Sequence, residues 1–150
     1  MANSYVSLLV HVVFSTTNRE PWLSPNVRER LFPYLGGIAK KERMVALSIG
    51  GTSDHVHLLI SLPSTLSIAQ AVQSLKGGSS LWVHQSFAHL AGFSWQEGYG
   101  AFSIGISQLE ETGGYIEGQE EHHHKTTFQE EYVAFLRKNN VQFDERYVFG

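Results

Sequence analysis

The sequence predicts an α+β fold in which an antiparallel sheet carries helices on one face. Strand-like and helix-like segments follow one another in the order strand-helix-strand-strand-helix-strand, which is typical of this class. The chain has 150 residues, 42% of them hydrophobic, which is enough to bury a sizeable core. Neither repeats nor low-complexity linkers interrupt the pattern, so we expect a single domain over residues 1–150.

Four segments have the composition of strands. Val, Leu and Phe dominate the first, and Val45, Leu47 and Ile49 alternate in the second. Gly50-Gly51 then leads into the third, which suits a hairpin of these two strands. The fourth is rich in aromatic residues and glycine. In chain order the predicted strands are 4–17, 44–49, 54–61 and 93–104.

Five segments have helical spacing or capping signals. Ser24 or Asn26 can cap the first helix, and Pro33 inside it predicts a kink or a break. Gly77-Gly78 predicts a break between the second and third helices, and a capping box at 127–130 begins the last. An aromatic tail is expected to dock on the body. The helices are predicted over 24–41, 67–76, 79–89, 107–124 and 127–138, and the tail over 141–149.

Composition excludes several classes of protein. The chain has no cysteine, so disulfides and thiolate metal sites are impossible. No apolar run approaches the roughly 20 residues of a membrane helix, and we expect a cytoplasmic protein without a membrane partner. Residues 1–80 carry seven Lys/Arg and four Asp/Glu, whereas residues 81–150 carry four and ten. The cations between Arg19 and Arg43 form either a solvated helix face or a contact surface.

The run from 54 to 61, Asp-His-Val-His-Leu-Leu-Ile-Ser, carries the clearest chemical signal. His55 and His57 are two apart on a predicted strand, so both imidazoles point to one face while the apolar residues fill the other. Two imidazoles on a rigid strand supply two-thirds of a divalent-metal site. Asp54 can orient an imidazole or cap a turn. His11 on the first strand is expected to be structural.

Tyr115 and Gln119 are four apart and lie one turn apart on one face of a predicted helix. The amide oxygen of Gln119 can complete a His-His-Gln metal set. Tyrosine is a poor nucleophile because its pKa is about 10, but a metal on the phosphate and a nearby charge that favours phenolate would overcome this. The same spacing is also common without function. Gly113, Gly114 and Gly118 weaken the helix and could act as a hinge.

These motifs resemble those of the single-tyrosine HUH transposases of small insertion sequences, which include the REP-associated tyrosine transposases. The resemblance implies a ferredoxin-like (RRM-like) catalytic fold, in agreement with the element order. Members of this family usually have bulkier, often basic residues just before the tyrosine, whereas this chain has Gly113-Gly114 there. Beyond the His-Val-His and Tyr/Gln motifs, the likeness extends over 11–20, 50–60, 76–82, 95–103, 115–123 and 143–147.

Carried over position by position, the resemblance implies a mechanism. Tyr115 would attack the scissile phosphate of single-stranded DNA and form a 5′-phosphotyrosine link. The cut would lie at the end of a mobile element, which is usually recognised through a DNA hairpin. His55, His57 and Gln119 would bind Mg²⁺ or Mn²⁺, and the imidazoles favour Mn²⁺. Family members are commonly dimers, so we expect a homodimer in which the tyrosine helix acts in trans.

Further residues are candidates for DNA contact. Cations can contact phosphates, and aromatic rings can stack on bases or simply fill the core. The histidines after Gln119 either end a helix in solvent or contact DNA and move a proton. The phosphate candidates are Arg19, Arg43 and Lys76, the stacking candidates are Trp82, Trp95, Tyr99 and Phe102, and the histidines are His122, His123 and His124.

Three alternatives remain open at this stage. A domesticated HUH endonuclease that processes palindromic repeats would have the same site. A non-catalytic RRM-like nucleic-acid binder would carry the histidines incidentally. A metal hydrolase is disfavoured because no carboxylate or third histidine lies at ligand spacing near His57.

Overall fold

The computed structural model describes residues 3–150. Over this range the strands form one four-stranded antiparallel sheet in the order β2-β3-β1-β4. One helix connects β1 to β2 and another connects β3 to β4, which is the ferredoxin-like arrangement and confirms the predicted α+β class. These elements are β1 Leu9–Ser15, α1 Pro25–Lys41, β2 Val45–Gly51, β3 His55–Ser61, α2 Ile68–Ser86 and β4 Gly100–Ile104.

One face of the sheet packs against α1 and α2 and forms the main core. Val56, Leu58 and Ile60 of β3 point to this face and are fully buried, because successive strand residues alternate between faces. Val12 and Phe14 of β1 lie beside them in the same cluster. This is the helix-covered face that the sequence predicts.

The opposite face, which carries His55 and His57, lies under the C-terminal helices. Val13 and Phe102 of the sheet form a second apolar cluster there with one face of the last helix. Helices therefore cover both faces of the sheet and not one as predicted, because the C-terminal helices pack over the face that carries the two histidines. The C-terminal helices are α3 Leu109–Glu117, α4 Gln119–His122 and α5 Phe128–Lys138.

Two predicted interruptions do not break their helices. Helix α2 continues through Gly77-Gly78 because Gly78 lies against α1, where an added Cβ would be 2.9 Å from Ile38 Cδ1. The glycine therefore allows a close helix crossing, and this packing outweighs its weak helix propensity. Helix α1 likewise continues past Pro33.

Other boundaries differ from the prediction. Strands β1 and β4 are shorter, and residues 93–99 approach the sheet through a bridge between Thr16 and Trp95. The helix predicted over 107–124 begins with a 3-10 turn and is divided at Gly118. No helix within residues 3–150 is long and apolar enough to cross a membrane.

Local capping signals and the tail follow the prediction. The Ser24 hydroxyl accepts a hydrogen bond from the Val27 amide at the start of α1. Thr127 and Glu130 form the capping box of α5. Phe143 and Phe149 of the tail pack against the second apolar cluster. The capping box and the tail residues hold α5 over the histidine-bearing face.

Candidate active site

The two histidines of β3 are completely buried, and each imidazole is fixed at Nδ1. Asp54 Oδ1 lies 2.8 Å from His55 Nδ1, and His11 Nε2 lies 2.8 Å from His57 Nδ1. Asp54 therefore orients an imidazole, as one of its two predicted roles requires, and His11 does the same for the second. Both Nε2 atoms remain directed towards the C-terminal helices, which is how paired metal ligands are usually presented.

Helices α3 and α4 bring Tyr115 and Gln119 to these histidines in the same chain. Gln119 Oε1 lies 2.9 Å from His55 Nε2, and its amide nitrogen donates to the Tyr115 carbonyl at 3.2 Å. The Tyr115 ring centroid is 5.8 Å from that of His57. The Tyr115 hydroxyl donates to a Glu131 carboxylate oxygen and lies 3.2 Å from His122 Nε2.

Glu131, for which the sequence predicted no role, and His123, which was predicted at a helix end or in contact with DNA, complete this cluster. Glu131 Oε1 lies 2.8 Å from His57 Nε2, and Glu131 Oε2 lies 3.1 Å from His123 Nε2. No carboxylate lies at ligand spacing near His57 in the sequence, but α5 brings Glu131 to it from 74 positions away, so the argument from spacing against a metal hydrolase does not hold. The sequence offered one signal for Glu131. It lies between the apolar positions Phe128 and Phe135 of the last predicted helix, and a charged residue on a buried face is rarely unpaired.

The donor atoms of the cluster suit a metal ion. Four residues each offer one ligand atom, an imidazole nitrogen or a carboxylate oxygen, and these atoms all lie within 4.8 Å of one another. The residues are His55, His57, His123 and Glu131. His123 Nε2 is buried, and its contact with Glu131 Oε2 at 3.1 Å does not have the geometry of a hydrogen bond. A buried polar atom without a well-formed hydrogen bond is costly, and coordination would satisfy it. The group could therefore hold a metal.

Electrostatics at the site keep the tyrosine protonated. Burial raises the pKa of Tyr115 well above its usual value, and the hydrogen bond and charge of Glu131 raise it further. Burial opposes ionisation of Glu131, but the His123 and His57 imidazoles outweigh it and hold its pKa well below its usual range. The charged group in contact with the Tyr115 hydroxyl is thus the Glu131 carboxylate. Its negative charge disfavours the phenolate, whereas the sequence-based hypothesis required a nearby charge that favours it. Burial lowers the pKa of His57 to about 4, so this imidazole is neutral, as a ligand must be.

Two cavities reach the cluster. One has a volume of about 330 Å³ and is lined by Tyr115, His122 and Phe135. The other, about 720 Å³, is lined by Arg19 and Arg28 together with Asp54, His123 and His124. The nucleophile candidate and the metal-binding group are therefore reachable from outside.

The predicted base-stacking residues lie in different surroundings. Trp82 is half-buried and stacks on Tyr34, with 4.6 Å between ring centroids. Trp95 packs against Phe14 in the main core, and its indole N–H donates to Ser79. Phe102 is buried in the second cluster, so these two rings could stack on a base only by leaving the core. Tyr99 packs partly buried against the main core.

The predicted phosphate contacts also differ in availability. Arg19 lines the larger cavity and donates to the Phe149 carbonyl at 2.8 Å. Arg43 is exposed in the turn after α1. Lys76 is half-buried, and its ammonium donates to the carbonyls of residues 96, 97 and 98 at 2.7, 3.1 and 2.6 Å. The contacts of Lys76 support a structural role.

We expect Lys76→Met to lower the free energy of unfolding by about 2 kcal/mol, because three carbonyls lose a charged donor. Urea denaturation measures this change. Arg43→Met is the matched control and should change stability by less than about 0.5 kcal/mol, as at other exposed sites. Unchanged stability of Lys76→Met, with a reduced salt dependence of DNA binding, would instead support a phosphate contact.

Comparison with known protein families identifies the chain as a transposase, a class of DNA-processing enzyme. The family model described as "Transposase IS200 like" matches residues 4–119, which include β3, Tyr115 and Gln119. The chain therefore belongs to the IS200-like transposase family. The match ends before His123 and Glu131, so the family model does not account for these two members of the cluster.

Two solved structures are similar to the chain. A provisionally assigned transposase from Deinococcus radiodurans R1 is 26% identical, with a TM-score of 0.65 over 79% of this chain and 96% of that chain. A REP-associated tyrosine transposase bound to a REP hairpin is 14% identical, with a TM-score of 0.56 over 77% of this chain and 68% of that chain. The second likeness shows the shared fold alone. None of the curated proteins compared with the chain matches it.

Proposed function

We propose that this transposase cuts and rejoins single-stranded DNA at insertion-sequence ends, with Tyr115 as the nucleophile. The observation that carries the proposal is the meeting of the Tyr115 hydroxyl and the Gln119 amide with the Nε2 side of His55 and His57 in one chain. Membership of the IS200-like family supports the same reaction class.

In the proposed reaction, Tyr115 Oη forms a bond to the scissile phosphorus and the bond from phosphorus to the 3′-oxygen breaks. The products are a 5′-phosphotyrosine and a free 3′-hydroxyl, whose oxygen takes a proton from water. Because the pKa of Tyr115 is raised, the phenolic proton must leave as the new bond forms. Glu131 accepts the hydrogen bond from that hydroxyl and orients it, and His122 Nε2, 3.2 Å from the hydroxyl, can take the proton. Attack by a 3′-hydroxyl reverses the reaction without an energy source.

Mg²⁺ or Mn²⁺ at His55, His57 and Gln119 would supply Lewis-acid stabilisation of the phosphate. The chain contributes the fixed orientation of both imidazoles through Asp54 and His11. Nitrogen donors favour Mn²⁺ over Mg²⁺, which prefers oxygen ligands.

We propose that the DNA partner carries a hairpin, as does the ligand of the REP-associated relative. The cleft that leads to His123 is lined by Arg19 and Arg28, and because Glu120 pairs with Arg28, we assign the phosphate contact in this cleft to Arg19. Binding should weaken as salt rises.

The resemblance implies a homodimer with the tyrosine helix acting in trans. The contacts of Tyr115 with Glu131 and His57 in one chain favour action in cis. We therefore propose that a single subunit can complete its own site.

The test uses the purified chain, the single-stranded DNA that flanks its own gene, and Mg²⁺ or Mn²⁺. We expect a nick and a covalent protein adduct on the 5′ end of the downstream product, both lost in Tyr115→Phe. Tyr147→Phe is the control, because Tyr147 is 71% exposed and away from the site.

Hairpin binding without any nick would support the non-catalytic binder. Nicking without an adduct, or nicking by Tyr115→Phe, would support a metal hydrolase, and cutting of palindromic repeats without joining would support the domesticated endonuclease.

A further inference from the structure

Glu131 and His123 lie beside the Nε2 atoms of the two β3 histidines, where a metal would bind. Neither belongs to the proposed ligand set of two histidines and Gln119. Glu131 is 3% exposed, and the His123 side chain is 9% exposed. Both lie beyond residue 119, where the family match ends. A carboxylate is buried only where it has strong partners, so its position among imidazoles requires an explanation.

The distances fit a shared ion. Glu131 Oε1 lies 2.8 Å from His57 Nε2 and 3.6 Å from His55 Nε2. Donors around one first-row metal lie about 3–3.5 Å apart, because each bond to the metal is about 2.1 Å long. Glu131 Oε2 lies 3.1 Å from His123 Nε2, which places the third imidazole on the same carboxylate.

Hydrogen bonding explains only part of this arrangement. Glu131 satisfies His57 and the Tyr115 hydroxyl, but the 3.1 Å contact of its Oε2 with His123 Nε2 does not have the geometry of a hydrogen bond. Its ring packs against that of His55, with 4.4 Å between centroids. A metal ion between the imidazoles and the carboxylate would satisfy this nitrogen, since the donor atom of His123 lies within 4.8 Å of those of the other three residues.

We infer that Glu131 and His123 are metal ligands together with His55 and His57. Three imidazoles and one carboxylate form a set suited to a transition-metal ion such as Mn²⁺, Co²⁺ or Zn²⁺, whereas Mg²⁺ prefers an octahedral oxygen shell. This inference deepens the proposed function and rests on it for the use of the site. The ligand set itself can be tested without DNA.

The first experiment measures Mn²⁺ and Co²⁺ affinity of the metal-free full chain by calorimetry, and Co²⁺ coordination by visible absorption. We expect Glu131→Gln and His123→Gln to weaken binding by at least about 100-fold, the upper end of the loss seen even for residues that only orient ligands. Glu130→Gln and His124→Gln are matched controls, since both side chains are exposed neighbours. They should stay within about twofold of the unsubstituted chain, since neither offers a ligand.

The second experiment needs no substitution and remains decisive if Glu131→Gln does not fold. Pulsed EPR of the Mn²⁺-loaded chain, with ¹⁵N-labelled histidine, counts the coordinated imidazoles. We expect three, and two would overturn the inference, as would unchanged affinity in a folded His123→Gln protein. Loss of DNA cleavage in every assay, with three imidazoles still counted, would remove the proposed function and leave the ligand assignment intact.

Discussion

A His57→Ala protein is expected to lose cleavage by at least about a thousandfold, because Lewis-acid stabilisation contributes several kcal/mol and each 1.4 kcal/mol is tenfold in rate. Mixing it with Tyr115→Phe protein should restore nothing. The hydroxyl of Tyr115 and the imidazole of His57 contact the same carboxylate, Glu131, in one chain. A mixed population then contains no subunit with both groups. The measurement is cleavage of an end-labelled single strand in Mn²⁺.

His89→Ala is the control for this experiment, because His89 is exposed and distant in sequence from every site residue. It should cleave at the unsubstituted rate. Circular dichroism of His57→Ala separates loss of chemistry from loss of fold. Recovery of activity on mixing would instead establish exchange of the tyrosine helix between subunits, as the family resemblance implies.

Gly50→Ala should reduce cleavage by at least about 100-fold, as a displacement of about 1 Å in a reacting group can do. A Cβ at residue 50 would lie 2.0 Å from the carbonyl oxygen of Ile116, one residue after Tyr115. Helix α3 must therefore move away from β2 and carry the phenol with it. Adduct formation with the flanking DNA measures the effect, and an unchanged rate would show that α3 is not held by this contact.

Gly114→Ala is the matched control for Gly50→Ala. No atom of the described chain lies within 4 Å of a Cβ at residue 114, and the residue is inside α3. We expect it to keep cleavage and to raise the free energy of unfolding by about 0.5–1 kcal/mol. If joining slows while cleavage is unchanged, flexibility at residue 114 supports the hinge expected from the glycines around Tyr115.

Local rules explain what could be predicted from the sequence. His55 and His57 are two residues apart in β3, and this alone predicts that they share one face, since successive side chains of a strand point to opposite faces. The spacing of four placed Tyr115 and Gln119 together in the same way, although a helix boundary at Gly118 lies between them. Capping residues such as Ser24 also act within one turn and were recognisable.

The remaining features depend on contacts between distant segments. Glu131 joins the site because α5 folds across the sheet, and no periodicity relates it to β3. Gly78 stays helical because Ile38 of another helix occupies the space beside it. Lys76 resembles a surface cation in the sequence, but backbone carbonyls of the loop before β4 surround its ammonium.

Strand β3 uses its two sides for different purposes. Val56, Leu58 and Ile60 belong to the main core, while His55 and His57 on the reverse side face the candidate active site. The two properties can therefore drift apart over generations. A descendant that has lost both imidazoles would keep the main core on the opposite face, and such a copy could persist in a genome as a folded but inactive protein.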